Sequence, residues 1–395
     1  MYDFDGLSAA GVRRGAGALK WTNVAEDVIP LWVADMDFPC LPELREALEK
    51  RAAHPFYGYT RHNPSSNEAI AQWYRRYGAG IEPEETLIGP GTVLSLGMGV
   101  REFSAAGDGV LVMTPVYTPF YEIIRGNGRI VVELPLHPDK EAAFAFDAAE
   151  IEACLSGAAA DGIRVSVAIL CSPHNPGGRV WSGKELAAFF EIAARHNLMI
   201  LADEIHMDFA FQKEFVSAAS FDEYRDRIIV VSGANKTFNL GGLHISHFVI
   251  RDGVLRARIE RVLRRETHHE SDCFAELAVE TVYRRGAPWL AELKARVRAN
   301  LEKTARFLGA EIDGVHAPVP QGTYLLWADM KGLIGRKGCK GDADLVRRIE
   351  AEAKVKLTAG SLYGAGGAGF VRINAASPAP LLDEALGRIR DWARA

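Results

Sequence analysis

Through the middle of the chain, short apolar runs rich in β-branched residues alternate with amphipathic stretches of helical period, the rhythm of an α/β domain. The runs predict strands at 109–113, 129–134, 165–171, 198–203, 227–232 and 247–250, with helical patterns such as 184–196 between several of them. The clearest strands run into polar segments: Thr114-Pro-Val-Tyr-Thr-Pro119, Ser172-Pro-His-Asn-Pro-Gly-Gly178, Asp203-Glu-Ile-His206 and Gly233-Ala-Asn-Lys236. Ligands of open α/β sheets sit at the carboxyl ends of strands, so these four clusters point to one shared site. From about residue 288 the pattern changes to a long amphipathic helix, a strand over 321–327, a helix near 343–354 and a strand in Gly369-Phe-Val-Arg-Ile-Asn374. This predicts an N-terminal arm (1–38), a large domain (39–287) with a mostly parallel sheet flanked by helices, and a smaller α+β domain (288–395) that the arm helps to complete.

Composition narrows the possible partners. The chain has 395 residues, 48% hydrophobic and 25% charged, enough for a substantial core. A formal net charge of −5, with both signs mixed throughout, leaves no basic stripe to follow a phosphate backbone, so nucleic acid is not expected as a partner. Five scattered cysteines without a C-x-x-C pair suggest neither a disulfide framework nor a zinc site, and fit a reducing cytoplasm. No apolar run has the length of a membrane span and the first residues lack the pattern of an export signal, so no membrane partner is expected.

Lys236 leads the candidate chemistry, because it follows a strand and precedes a small glycine-bearing turn. Alone it would be a solvated loop lysine. Asp203, at the end of the neighbouring strand, could hold a pyridinium nitrogen in its protonated form, or could simply cap the next turn. Asn175 could donate to a phenolate oxygen or form an Asx turn. His206 could reach the same oxygen or Asp203, or be structural. Gly89-Pro-Gly-Thr-Val-Leu-Ser95 opens a helix with small residues, as a phosphate site at a helix N-terminus requires. Tyr117 offers a flat face for stacking on a ring. The His268-His269-Glu270 run is read as a polar helix face or the lining of a site mouth, because adjacent helical histidines point about 100° apart and cannot both face one metal ion.

The ordered motifs G-x-G-T-V, P-V-Y-x-P-F, P-H-N-P-x-G-R, D-E-I-H-x-D and K-T-F-N-L-x-G-L resemble the fold-type I pyridoxal 5′-phosphate enzymes, the class I/II aminotransferase superfamily. Trp32-Val-Ala-Asp-Met-Asp-Phe38, Phe56-Tyr-Gly-Tyr-Thr60 and Tyr324-Leu-Leu-Trp327 bring the resemblance nearer to the bacterial cystathionine β-lyase-type C–S lyases. Position by position, it implies that Lys236 carries the cofactor as a Schiff base and Asp203 pairs with the pyridine nitrogen. Asn175, with His206 in support, would bind the ring oxygen, and Tyr117 would stack on the ring and share in catalysis with Lys236. Gly91, Thr92 and Val93 would cradle the phosphate, with Asn235 nearby and Tyr59 arriving from the partner of a homodimer. Arg372, aided by backbone at Val33 and Ala34, would grip the α-carboxylate of an amino-acid substrate.

Two positions depart from the pattern. Asn235 stands where many relatives have serine, and His244 stands where aminotransferases usually carry a phosphate-binding arginine. The second departure turns the expectation toward β-elimination of L-cystathionine or related cysteine S-conjugates, giving pyruvate, ammonia and a thiol. Amino transfer is the alternative.

Overall fold

Seven strands make the central sheet of the computed structural model, which describes residues 2–5, 9–138, 144–212, 214–266, 268 and 270–395. They are β1 (Thr86–Gly89), β2 (Gly109–Thr114), β3 (Ile130–Pro135), β4 (Val165–Cys171), β5 (Met199–Asp203), β6 (Ile228–Ser232) and β7 (Ser246–Val249). Their order is β1-β7-β6-β5-β4-β2-β3. Neighbours are parallel except around β7, which is antiparallel to both β1 and β6.

Helices cover both faces, so β2 and β6 are buried at every residue, which is why they read as unbroken apolar runs. All six predicted strands are present, with ends displaced by a residue at most. β1 was not predicted. Four residues ending in glycine carry too little periodicity, and the space at Gly89 is closed: a Cβ there would lie 2.6 Å from Ser95 Oγ and 2.7 Å from Ser246 Oγ.

Helix α1 (Thr92–Phe103) follows β1. Helix α2 (Gly183–Arg195) links β4 to β5 and begins one residue before its predicted start, where Ser182 and Glu185 close a capping box. Beyond the sheet, α3 (Ala287–Glu311) buries Trp289, Leu293, Val297, Leu301 and Leu308, the expected stripe of a core-facing helix.

A second, antiparallel sheet contains β8 (Leu325–Asp329), β9 (Thr358–Ala359) and β10 (Phe370–Asn374) in the order β8-β10-β9. The strand expected from 321 starts only at Leu325, because Thr323 has a φ of 65° and interrupts extended backbone. The helix expected over 343–354 runs as Asp342–Arg348, continues as a π turn over Ile349–Ala353 and stops at left-handed Lys354. The last helix is α4 (Ala379–Arg394).

Residues 29–31 are bound at and beside this second sheet. Ile29–Pro30 pairs in parallel with Val355–Lys356, and Asn374 N–H donates to the Leu31 carbonyl at 2.9 Å. Asp37 anchors the stretch that follows. Its buried carboxylate accepts from Lys20 Nζ at 2.6 Å, Trp21 Nε1 at 2.8 Å, Ser377 Oγ at 2.8 Å and Arg13 at 3.0 Å. Burying two charges is costly unless each is paired and hydrogen-bonded, and the Lys20–Asp37 pair meets both conditions. Segment 32–37 is thereby held rigidly over the carboxyl ends of the central strands.

Candidate active site

Lys236 lies in the turn after β6, and its Nζ donates to the Ala34 carbonyl at 2.6 Å. That carbonyl also accepts from the buried Tyr324 hydroxyl at 3.1 Å. Burial lowers the Lys236 pKa from its ordinary value; Arg372 adds to the depression, while Asp35 and Asp203 oppose it. The effect favours the neutral amine, the form that attacks carbonyls and accepts protons.

Asp203 ends β5, and its buried carboxylate accepts from the Ile205 N–H at 3.1 Å. It therefore caps the following turn. Burial pushes its pKa up to about 6, against the Ile205 hydrogen bond and the nearby Lys236 charge. A cation brought against Asp203 would relieve that cost. His206 is also buried, in edge contact with Tyr324 at 5.7 Å between ring centroids, and its Nδ1 has no partner. Burial, then Lys236 and Arg372, hold it well below the ordinary histidine range, so the ring is neutral. No hydrogen bond joins His206 to Asp203.

Asn175 and Arg372 meet directly. Arg372 projects from β10, and its guanidinium donates to Asn175 Oδ1 at 3.0 Å and to the Trp32 carbonyl at 2.9 Å. The Tyr363 ring lies 5.0 Å from the guanidinium carbon, and Arg372 Nε is buried without a partner. Asn175 thus serves as an acceptor for Arg372 rather than closing an Asx turn, while its amide nitrogen is left to donate elsewhere. Tyr117, half-buried, packs edge-on against Phe120 at 5.8 Å. Burial raises its pKa, Arg372 lowers it and Asp203 raises it, which places all three in one cleft.

The glycine-threonine turn stands at the start of α1. Gly91 has a φ of 107°, open to glycine alone, and its N–H donates to Ser246 Oγ at 3.2 Å. The Gly91 N–H is thus engaged by β7. The Thr92 and Val93 N–H groups lie in the first helical turn, where no carbonyl of the helix reaches them, and Thr92 Oγ1 is buried without a partner. Asn235 is partly engaged as well. One of its amide N–H bonds goes to the Ile245 carbonyl at 2.8 Å, and its Oδ1 has no partner. His244 is exposed in left-handed backbone.

The carbonyls of Val33 and Ala34 are occupied. The Val33 carbonyl accepts from Asn374 Nδ2 at 2.8 Å, and the Ala34 carbonyl accepts from Lys236 and Tyr324. Only their N–H groups remain for a ligand.

Tyr59 is not brought to the other residues. It is 93% exposed, beside Thr60, Arg61, His62, Pro64 and Glu270 around a cleft of about 570 Å³. Of the His268-His269-Glu270 run, His269 lies outside the described residues. His268 and Glu270 lie beyond the helix that ends at Arg265, which corrects their assignment to a helix face. The sequence reading also missed Ser246 and Asp37; a buried serine on a strand and a charged residue in an irregular arm carry no periodic signal.

Pyridoxal 5′-phosphate, which the resemblance implies, fits these residues. Buried Lys236, Asp203 with an unmet charge and the orphan Thr92 hydroxyl match an aldehyde, a basic ring nitrogen and a phosphate respectively. The sheet, the lysine turn and the arginine of the second sheet define the class of fold-type I pyridoxal-phosphate enzymes.

Within that class the chain belongs to the family described as Aminotransferase class I and II, whose profile matches residues 26–389. It is 36% identical to cystathionine beta-lyase PatB of Bacillus subtilis (strain 168), over 96% of this chain and 97% of that protein. It is 30% identical to protein MalY of Escherichia coli (strain K12), over 100% of both. Cystalysin from Treponema denticola, solved with pyridoxal 5′-phosphate, superposes with a TM-score of 0.89 at 30% identity, over 99% of this chain and 98% of that one. A PLP-bound putative aminotransferase from Clostridium difficile 630 superposes with a TM-score of 0.91 at 31% identity over both chains in full.

Proposed function

We propose that this chain is a pyridoxal 5′-phosphate-dependent C–S β-lyase that cleaves L-cystathionine or related L-cysteine S-conjugates to pyruvate, ammonia and a thiol. The observation that carries the reading is the buried lysine after β6, under the electrostatic influence of the buried Asp203 at the end of β5 and the buried Arg372 of β10. The 36% identity along almost the whole of a cystathionine β-lyase supports the choice of reaction.

Arg372 binds the substrate α-carboxylate through its planar fork, and Asn175 orients the guanidinium from the side. Lys236 would hold the cofactor through Nζ, and the same nitrogen would take the Cα proton of the substrate. When bound, the cofactor would supply an electron sink for the pair left on Cα, so that the Cβ–S bond can break. Asp203 would hold the ring nitrogen in its protonated form. Thr92 and the first N–H groups of α1 would hold the phosphate, with Asn235 contributing its second amide N–H. Asn175 and His206 would bind the ring oxygen, and Tyr117 would stack on the ring.

The division into an arm (1–38), a large domain (39–287) and a small domain (288–395) belongs to the same reading, with the substrate between the two larger parts. Exposed Tyr59 suits a homodimer in which it reaches the partner's phosphate site. Mixing inactive Tyr59→Ala and Lys236→Ala proteins under conditions of subunit exchange is then expected to restore activity; no recovery would count against a shared site. Among the described residues no helix is long and apolar enough to cross a membrane. The five free cysteines suit a cytoplasmic location.

Incubation of the holoenzyme with cystathionine, following pyruvate and thiol, tests the reaction. Amino transfer is the second reading, favoured by the likeness to the putative aminotransferase structure. Efficient exchange between an amino acid and a 2-oxo acid, without pyruvate from any S-conjugate, would decide for it. Arg372→Lys is expected to raise KM by roughly 10-fold or more with a smaller change in kcat, because a point charge cannot reproduce the fork. An unchanged KM would remove Arg372 from carboxylate binding.

A further inference from the structure

Behind the site lies a buried carboxylate that the reaction itself does not use. Asp208, five residues after Asp203, sits in the turn Met207–Phe209 and is completely enclosed. Its Oδ2 accepts from Thr237 Oγ1 at 2.6 Å, and its Oδ1 accepts from Trp73 Nε1 at 3.1 Å and from the Tyr77 hydroxyl. Thr237 is itself fully buried and directly follows Lys236. This side-chain hydrogen bond joins the segment bearing Asp203 to the turn bearing Lys236 beyond the end of the β5–β6 ladder, where Ser232 Oγ also donates to the Glu204 carbonyl at 3.0 Å.

The remaining contacts of both segments make this link stiff. On the lysine side, Phe238 N–H donates to the Ala234 carbonyl at 2.9 Å and Leu240 N–H to the Asn235 carbonyl at 3.0 Å. The Phe238 ring stacks on Trp289 with centroids 5.6 Å apart and meets Trp73 edge-on at 5.7 Å. On the aspartate side, Met207 N–H donates to the Glu204 carbonyl and Phe209 N–H to the His206 carbonyl, each at 2.9 Å. Trp73 belongs to both groups of contacts, donating to Asp208 while packing on Phe238. A carboxylate with three donors in a closed core has almost no freedom to rotate, so its position transmits to each donor.

We infer that Asp208 and Thr237 are positioning residues, a clamp that fixes the span between Lys236 and Asp203 and so the placement of a pyridine ring held by both. The inference rests on the assignment of those two residues to the cofactor in the function proposed above. The clamp touches neither cofactor nor substrate. Its loss lets the lysine turn shift relative to Asp203, so the nitrogen contact and the covalent link can no longer both be met without strain. Supporting residues of this kind typically alter the affinity of the group they orient by about 10–100-fold.

The test compares full-length Thr237→Val, which keeps shape and loses the hydroxyl, with Thr237→Ser, which keeps the hydroxyl. Tyr77→Phe serves as a control, because it removes a donor to Asp208 without cutting the link to the lysine turn. For each, the dissociation constant for pyridoxal 5′-phosphate, the pH midpoint of the visible cofactor band, kcat, KM and the apoprotein Tm are measured. Thr237→Val is expected to weaken cofactor binding by roughly 10-fold, move the pH midpoint and lower kcat more than it raises KM. Thr237→Ser is expected to stay within about twofold of the parent, and Tyr77→Phe to lower Tm alone.

The clamp is overturned if Thr237→Val keeps the parent's affinity and pH midpoint, or if Thr237→Val and Tyr77→Phe lose cofactor in step with Tm. If Thr237→Val does not fold, Thr237→Ala enters the same comparison with the same two outcomes. Borohydride reduction of the parent holoenzyme followed by peptide mapping separates the two levels. Failure to find the cofactor on Lys236 overturns the function and the clamp together, whereas a labelled Lys236 with an indifferent Thr237 overturns the clamp alone.

Discussion

Lys236→Ala is expected to abolish pyruvate release from cystathionine, with a loss of about 10⁴-fold or more, because one substitution removes both the covalent link and the group that takes the Cα proton. The same protein should show no borohydride-stable label and should lose the visible band of the bound parent. KM is not the sensitive quantity here. Arg372 and Asn175 stay in place and continue to bind the carboxylate, so the loss falls on kcat. The depressed pKa of Lys236 sharpens the expectation. Burial favours the neutral form of the released lysine. A Lys236→Ala protein that turns over at a measurable fraction of the parent rate would end the proposed mechanism.

Asp203→Asn is the second large effect, and pH gives it a signature. Burial raises the Asp203 pKa from 3.8 to about 6, so in the apoprotein this group contributes stability that is fully present below about 3.8 and lost as pH rises to about 6. The rise corresponds to about 3 kcal/mol. Cofactor binding runs the other way. Above pH about 6 the ionised carboxylate gains a cationic ring nitrogen as its partner, and below it the proton on Asp203 takes that role away. The difference in Tm between holoprotein and apoprotein should therefore widen as pH rises through the interval from 4 to about 6. Asp203→Asn should flatten this dependence and lower kcat on the order of 100-fold, because a neutral amide cannot hold the ring nitrogen protonated. A Tm difference with the same pH dependence in both proteins would show that Asp203 does not face the ring.

The residues whose roles could be read from the sequence share one property: they lie at strand ends whose apolar runs are unmistakable. Asp203 and Asn175 follow β5 and β4, Lys236 follows β6, and Arg372 is inside β10, so the strand pattern located them before any geometry was known. Their partners were harder to read. Ser246 takes the Gly91 N–H from a strand that pairs with β1, and β1 itself is too short to announce its place. The Ala34 carbonyl matters because its neighbours are clamped by Asp37, and an irregular arm carries no period from which to infer that. Asn235 has the right chemistry for phosphate, but Ile245, ten residues on, claims one of its protons. Asp208 stood in plain sight within D-E-I-H-x-D. Its tie to Thr237 spans 29 residues and an intervening strand, a separation no local pattern records.

The arm has a further consequence for the order in which the molecule comes together. Its carbonyls at Trp32, Val33 and Ala34 are met by Arg372, Asn374 and Lys236, and Asp37 is met by Ser377. A ribosome makes residues 20 to 37 early, yet most of the groups that fix them emerge some 340 residues later. The central sheet, complete by Val249, has everything it needs to form in the meantime. Residues 20 to 37 are thus made well before Arg372, Asn374 and Ser377, and their full set of contacts around Lys236 exists only once those later residues are present.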